Sequence, residues 1–546
     1  GAAMCEVGED YWEPAPAGPA ARPCREQKCV KCKEGLPVVV IRAGDAFCRD
    51  CFKVFYVHKF RAVLGKNRLV FPGEKVLLAW SGGPSSSSML WQVLEGLSQD
   101  SAKRLRFVPG VVFADPTKTE NPQPLKRPAR HRSASRDCCP QGAVALALPC
   151  SPFCLRFSEG AACGQSPEDR AKTLAEAKLV LQTVGFPWHI VALEEVFSLP
   201  PSVLRCSARE PVGTEGAYKA AVDSFLQQHH VLGGEAEPAL PPHPQGRAGP
   251  PTAGQTEALS RLFNSVKTLT AKEELLQTLR THLILHVART HGYSKVMTGD
   301  SCTRLAVKLM TSLALGRGAF LAWDTGFSDE RHGDVVVVRP MREHTLKEVA
   351  FYNRLFAVPS VFTPAVDTKA PEKASIHRLM EAFILRLQAQ FPSTVSTVYR
   401  TSEKLVKAPR DGCAAGTPGP RCLLCMCVLD VDTADSATAF GAQTSSQLPQ
   451  TQPPVAEAEA PTVSCCHSGM GRAQHCCRME ADPRACVTAQ LCYGCRVNMK
   501  DLPSLDPLPP YILAEAQLRS QRAEAEQEIQ ERLLEAEDGA RPGATS

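Results

Sequence analysis

The chain has 546 residues, with 62 Lys and Arg against 57 Asp and Glu, a net charge of +5, and 44% hydrophobic residues. That allows about two to four domains with a sizeable core, and the charge is too mild to demonstrate nucleic-acid binding. No apolar run approaches the roughly 18 residues of a membrane span, and GAAMCEVGEDYWEPAPAGPAARPC has no apolar core of a secretory signal, so a cytosolic or nuclear protein is expected. In that compartment the 24 cysteines read as metal ligands or free thiols and not as disulfides.

Residues 1–27 are Ala/Pro-rich and expected to be disordered, and 28–60 form a compact Cys-rich unit. KVLLAW (75–80) is a buried strand leading into a helix over 85–97; RFVPGVVFAD (106–115) is a second strand, broken or bulged by Pro109. Residues 169–185 are a helix closed by Gly185, and WHIVALEEVF (188–197) a third strand. This alternation predicts a parallel sheet flanked by helices. Residues 116–158 and 232–255 lack periodicity and read as disordered insertions in an α/β domain spanning 61–405. After the second insertion come an amphipathic helix (272–292), a strand, turn and helix (294–318), the same outline again (334–355), and helical character over 375–400. A second Cys-rich unit covers 406–500 with a low-complexity insert at 428–485, and 501–546 is a charged helix read as a solvated tail.

Cys29, Cys32, Cys48 and Cys51 form two Cys-x-x-Cys knuckles fifteen residues apart, which supply four thiolates to a tetrahedral zinc. Metal binding would then contribute much of the folding energy of so small a unit. Lys28, Lys31, Lys33, Arg49, Lys53, His58, Lys59 and Arg61 make its surroundings basic, which suits RNA phosphate or a plain solvated face equally. Cys422, Cys425, Cys492 and Cys495 are a second quartet whose halves come together if the low-complexity tract loops out. Cys427, Cys465, Cys466, His467, Cys476, Cys477 and Cys486 are spare candidates, read mostly as bystanders. Thiolate sets also hold iron–sulfur centres, so the metal stays open.

Ser81-Gly82-Gly83 between a strand and a helix would aim backbone N–H groups at an anion. KVLLAWSGGPSSSSMLWQVL, VMTGDSCTRLAVKLM and VVVVRPMREHTLKEV, in that order and between two Cys-x-x-Cys pairs, resemble the PP-loop (adenine nucleotide alpha-hydrolase-like) family and its tRNA thiolases. The resemblance implies a Rossmann-like PP-loop domain flanked by zinc-ribbon-like elements. It covers about 28–115, 159–230, 256–427 and 490–515.

Departures from the family pattern fall on the charged positions. Ser85 stands where active members carry Asp beside Ser86, Pro84 replaces a variable position often Lys, Asp300 replaces His after Gly299, and Thr303 and Arg304 replace an Asp-Asp pair. Such a phosphate loop is degenerate: ATP binding is not favoured, and no catalytic residue is assigned. Cys302, opening a helix, is the one possible reactive thiol, with Cys163 and Cys206 behind it; a buried role is the commoner one. His282, His286 and His291 read as packing or surface residues, and Arg339, Arg342 and Lys347 as contacts to tRNA or a partner, or as solvated surface. By resemblance, the chain is a cytoplasmic subunit of a tRNA thiouridylase making 5-methoxycarbonylmethyl-2-thiouridine at the wobble position. It would pair with an active PP-loop paralogue, bind tRNA, and use sulfur from a thiocarboxylated ubiquitin-like carrier. The alternatives are an independently active ATP-dependent sulfurtransferase and a zinc-ribbon adaptor without an RNA role.

Overall fold

The structure is a computed structural model that describes residues 28–41, 45–98, 104–115, 117–119, 163–165, 167–205, 218–224, 227, 251–363, 370–391, 393–405, 421–429 and 483–539. Its centre is a six-stranded sheet of β3 (Lys75–Ala79), β4 (Val108–Asp115), β7 (Trp188–Ala192), β8 (Lys295–Thr298), β9 (Ser328–Asp329) and β10 (Val336–Val338). The spatial order is β7-β4-β3-β8-β10-β9, with every pair parallel except β9 against β10. Two small ribbons complete the strands: β1 (Val39–Val40) with β2 (Ala46–Phe47), and β5 (Thr117–Thr119) with β6 (Cys163–Gln165).

The strand order puts a switch point between β3 and β8. Chain progress runs outward to β4 and β7 on one side, then returns to β8 and β10 on the other. Crevices at the carboxyl ends of strands open at such a switch, and ligands of open α/β sheets bind there. The Ser81 loop and the Gly299 turn follow the two strands that flank it.

Alternation along the strands divides the core into two layers. Leu77, Val112 and Val296 face one side, against α4 (Ala253–Ser265), α5 (Leu269–Thr290) and the C-terminal Cys-rich segment. Val76, Leu78, Val111 and Phe113 face the other, against α1 (Arg49–Asn67), α2 (Pro84–Leu97) and α3 (Pro167–Val184). Short side-chain caps start several helices: Ser301 accepts from Arg304 N at α6 (Cys302–Ala314), and Thr345 with Glu348 forms a capping box at α8 (Leu346–Leu355).

Several expectations are corrected. Pro109 lies within β4 in unbroken register opposite Val76. Val108 N–H points to Glu74 O on the β3 side, so the N of residue 109 faces the other way, where β7 has not yet begun; the first bond on that side is Val111 N to Pro187 O. No ladder bond is lost there. The third strand stops at Ala192, and Leu193–Ser198 winds into a 3₁₀ turn. The helix expected over 375–400 is two, α9 (Ile376–Gln390) and α10 (Thr394–Glu403), after α7 (Leu321–Thr325) and α8. Thr117–Thr119, assigned to the first insertion, is strand β5, and the start of α4 lies within the second. Residues 1–27, 120–162, 231–250 and 430–482 lie outside the described residues.

The C-terminal helix is not a solvated tail throughout. After α11 (Pro483–Ala489) and α12 (Tyr493–Met499), α13 (Pro510–Gly539) buries Tyr511, Ile512, Glu515 and Ala516 in the core. Residues 521–530 are exposed.

Candidate functional site

The first loop keeps the shape of an anion cradle. Gly82 has φ +77°, a left-handed conformation that suits glycine, and Pro84 occupies the first turn of α2, where its missing N–H costs no helical bond. Its hydroxyls, however, are turned onto the loop itself. Ser81 Oγ and Ser86 Oγ lie 3.1 Å apart, Ser86 Oγ donates to Gly83 O at 2.9 Å, and Ser87 Oγ donates to Gly82 O at 3.3 Å. Trp80 Nε1 donates to Ser87 Oγ at 2.9 Å. Ser85 is buried, and its hydroxyl has no hydrogen-bond partner among the described residues.

The second motif meets the first directly. A Cβ on Gly299 would stand 2.6 Å from Ser86 Cα, so only glycine lets the two turns touch. Asp300 accepts from Thr298 Oγ1 at 2.9 Å and lies within 3.7 Å of Arg304 and 3.5 Å of Arg339. Thr303 Oγ1 accepts from Leu346 N at 3.3 Å, which ties this position to packing.

Cys302 is corrected as a reactive thiol. Its side chain is buried, burial pushes the thiol up to about 12, and its N–H is bonded to His344 O. It packs with Ala306, Ile384, Val395 and Tyr399. Of the other two thiols, Cys206 lies outside the described residues, and only the backbone of Cys163 is described.

Arg339 and Arg342 are also corrected: neither is a surface contact for RNA. Arg339 is buried and donates to Trp323 O and Gly326 O, while the buried Arg342 guanidinium lies over the Tyr399 ring at 5.6 Å. Lys347 alone of the three is exposed. Around the N-terminal quartet the basic residues divide. Arg49 donates to Leu355 O, and Lys53 and Lys59 pair with Glu95 and Glu348, fastening α1 to the sheet domain. Lys28, Lys31 and Lys33 stay exposed.

The two cysteine quartets are assembled. Within each set the Sγ atoms lie within 4.8 Å of one another. Cys32 and Cys48 sulfurs are 3.8 Å apart, and those of Cys425 and Cys492 are 3.5 Å apart. Four sulfurs about 2.3 Å from a tetrahedral ion stand about 3.8 Å apart, so both sets fit a metal ion. Each has the same local design: a knuckle turn gives two sulfurs, and a helix start gives two more, with Cys48 capping α1 and Cys492 capping α12. Cys427 sits beside the second set and takes a hydrogen bond from Arg331 Nη1 at 3.0 Å, and Cys486 contacts Ser520 Oγ at 2.8 Å. The other spare candidates lie outside the described residues.

Sequence reasoning missed what joins the loop to the second quartet. A cleft of about 620 Å³ opens at the switch point, and its lining includes Ser81 and Ser85 of the loop together with Cys425 and Cys427. Arg331 also lines it, bound to Asp324 and Asp329 and donating to Cys427. His282, one of the three helix histidines, holds the quartet's turn: its ring accepts from Tyr511 Oη at 2.6 Å and donates from Nε2 to Leu424 O at 2.9 Å. Its i, i+4 spacing with His286 gave no sign of these partners.

A mostly parallel sheet carrying a Ser-Gly-Gly loop at its switch point, beside a cleft lined by Cys425 of a thiol quartet, defines an α/β protein whose loop after β3 has serine at position 85 and no acidic residue from Ser81 to Ser88. The family model for cytoplasmic tRNA 2-thiolation protein 2 matches residues 375–497. Proteins of that name are 73% identical in Homo sapiens (98% of this chain, 99% of that protein) and 74% identical in Bos taurus (99% and 100%). The Danio rerio protein is 46% identical over 97% of this chain and 99% of its own length. The chain belongs to the cytoplasmic tRNA 2-thiolation protein 2 family. Among solved structures, a U34-tRNA thiolase from Methanococcus maripaludis, described with its 4Fe-4S cluster, is similar at a TM-score of 0.40 and 13% identity, covering 71% of this chain and 92% of its own.

Proposed function

We propose that the chain is a non-catalytic subunit of the cytoplasmic tRNA thiouridylase that installs the 2-thio group of 5-methoxycarbonylmethyl-2-thiouridine at the wobble position. It scaffolds an active PP-loop paralogue as a heterodimer and extends the surface that meets tRNA. Sulfur reaches the paralogue from a thiocarboxylated ubiquitin-like carrier. Zinc in both quartets holds the two Cys-rich elements against the sheet domain, an assignment that the four-sulfur donor sets support.

The loop itself carries this reading. Adenylation depends on groups aimed at phosphate and on charge that compensates it. Here Ser81, Ser86 and Ser87 hydrogen-bond within the loop region, and Ser85 brings no carboxylate. Asp300, in the second motif, is engaged by Thr298 and neighbouring arginines. The fold of the site is kept while its chemistry is absent.

Purifying the chain alone and with the paralogue, and measuring ATP consumption, tRNA binding and tRNA thiolation, tests the proposal. Thiolation only by the pair is expected. Robust thiolation by the isolated chain overturns it, and failure to bind either tRNA or the paralogue favours an adaptor without an RNA role.

A further inference from the structure

We propose that the chain covers a face of its own N-terminal Cys-rich unit, and that the segment 6–13 is the cover. The face is aliphatic and open. Val38, just before β1, and Val40 within it flank the buried Val39, so they share the side turned away from the core. Ala46 stands opposite Val40 in the ribbon, and its carbonyl accepts from Val30 N at 2.8 Å, which brings Val30 alongside. Val30 and Val38 are each 49% exposed, and Leu36, two residues before Val38, is 74% exposed. Removing aliphatic surface from water is favourable, and clustered exposure of this kind marks a docking face.

The rim of the face is basic. Lys28, Lys31 and Lys33 are exposed, and Glu34 is the one acid among residues 28–41. The preceding chain has the complementary composition. Residues 1–21 hold four acids, Glu6, Glu9, Asp10 and Glu13, and no Lys or Arg; Val7, Tyr11 and Trp12 lie among those acids. Opposite charge can therefore meet at the rim while the two aromatic rings cover the aliphatic side chains.

The segment also has the reach. Residues 14–27 separate it from Lys28, and so Pro-rich a stretch spans about 40 Å at about 3.1 Å per residue. The face begins at Val30, two residues beyond the end of that tether. Tethering sets a local concentration of about 1 mM, which favours this segment over the same one on a second chain. RNA suits the face less well: the lysines would meet phosphate, but residues 28–41 contain no aromatic side chain to stack a base, and the valines would stay in water. This inference rests on the N-terminal unit and stands whether or not the chain pairs with a paralogue.

Zero-length carbodiimide cross-linking of the full-length chain, prepared as an equal mixture of nitrogen-15-labelled and unlabelled protein, tests it by mass spectrometry. Amide bonds are expected from the acids of 6–13 to Lys28, Lys31 or Lys33, joining residues of the same isotopic chain. Tyr11→Ser with Trp12→Ser keeps every acid, and Leu36→Ser with Val38→Ser keeps every lysine. Each pair should lower the yield by about fivefold or more, because the contact between aromatic and aliphatic surface is lost. An unchanged yield in both overturns the proposal, since the charges then meet through the tether alone. Cross-links mainly between labelled and unlabelled chains put a second copy on the face and overturn it. Absence of these cross-links overturns it too, and added tRNA that shields the three lysines from acetylation then assigns the face to RNA. Should Leu36→Ser with Val38→Ser lose the unit's metal, Tyr11→Ser with Trp12→Ser decides alone, because it changes no residue of that unit.

Discussion

Gly299 rests on the backbone of Ser86, with space for no side chain between them: an added Cβ would meet Ser86 Cα at 2.6 Å and Ser86 N at 2.8 Å. The turns after β3 and β8 therefore hold each other in place without any ligand. Gly299→Ala must push the two turns apart, because the atoms it meets are backbone and not the end of a flexible side chain. The expected loss is about 1–3 kcal/mol of stability. A urea denaturation midpoint equal to that of the wild type contradicts the contact.

Stability should fall in mild acid. Burial lowers His282 and His344 to about 4 and His332 to about 3, from an ordinary value of 6.5. These are depressed folded-state values of bases that the fold holds neutral. Their contribution is complete above pH 6.5 and is lost as pH falls toward 4. Each histidine should cost about 1 kcal/mol at about pH 5.5, where the unfolded chain binds the extra proton. Glu274 shifts stability in the same direction at lower pH: burial raises it, but His377 and Arg317 outweigh burial and hold it at about 2. Urea midpoints measured at pH 7.5 and 5.5 check this, and equal values contradict it.

The C-terminal helix is buried near its start and exposed over 521–530. Tyr511 donates to His282, which in turn donates to Leu424 O beside Cys425. Tyr511→Phe leaves the buried His282 Nδ1 without its donor and should cost about 1–3 kcal/mol. A chain ending at Gln521 should melt like the full-length protein, since residues 521–530 are exposed. One ending at Pro509 removes Tyr511, Ile512 and Ala516 from the core and should lose the second quartet's metal. Thermal melting with metal content separates these outcomes.

Two metal ions per chain are expected, one in each set of four thiols. Cys32→Ser should remove one ion and leave the sheet domain folded, because Cys32 is exposed and belongs to neither large hydrophobic cluster. Cys495→Ser should be more damaging, since Cys422, Cys492 and Cys495 are part of the main hydrophobic cluster. Elemental analysis distinguishes zinc from iron, and fewer than two ions on the wild-type chain removes a site.

Legibility followed the range of the interactions. The Ser81–Gly83 loop, the Gly299 turn and both knuckles depend on residues close in sequence, and their types and spacing announce them. The sheet was legible for the same reason, as apolar runs each followed by a helix. What fails to show is pairing at long range. Arg339 and Arg342 read as surface charge because nothing nearby in sequence says that Trp323 O or the Tyr399 ring receives them. Cys302 looks activated at a helix start until His344 O takes its N–H and apolar side chains cover its sulfur. The bond from Tyr511 to His282 spans 229 residues, and no local pattern encodes it.

The central claim, that this chain's phosphate loop is retained for architecture, is tested most directly by Ser85→Ala in the reconstituted pair. Ser85 Oγ has no hydrogen-bond partner among the described residues, so the change removes a loop hydroxyl without breaking a hydrogen bond described in the fold. Wobble 2-thiouridine formed per minute, read by nucleoside mass spectrometry, should stay within about twofold of wild type, since no transition-state contact is lost. A fall of about a hundredfold or more, with the pair still assembled, would show that this loop performs the chemistry and would contradict the account.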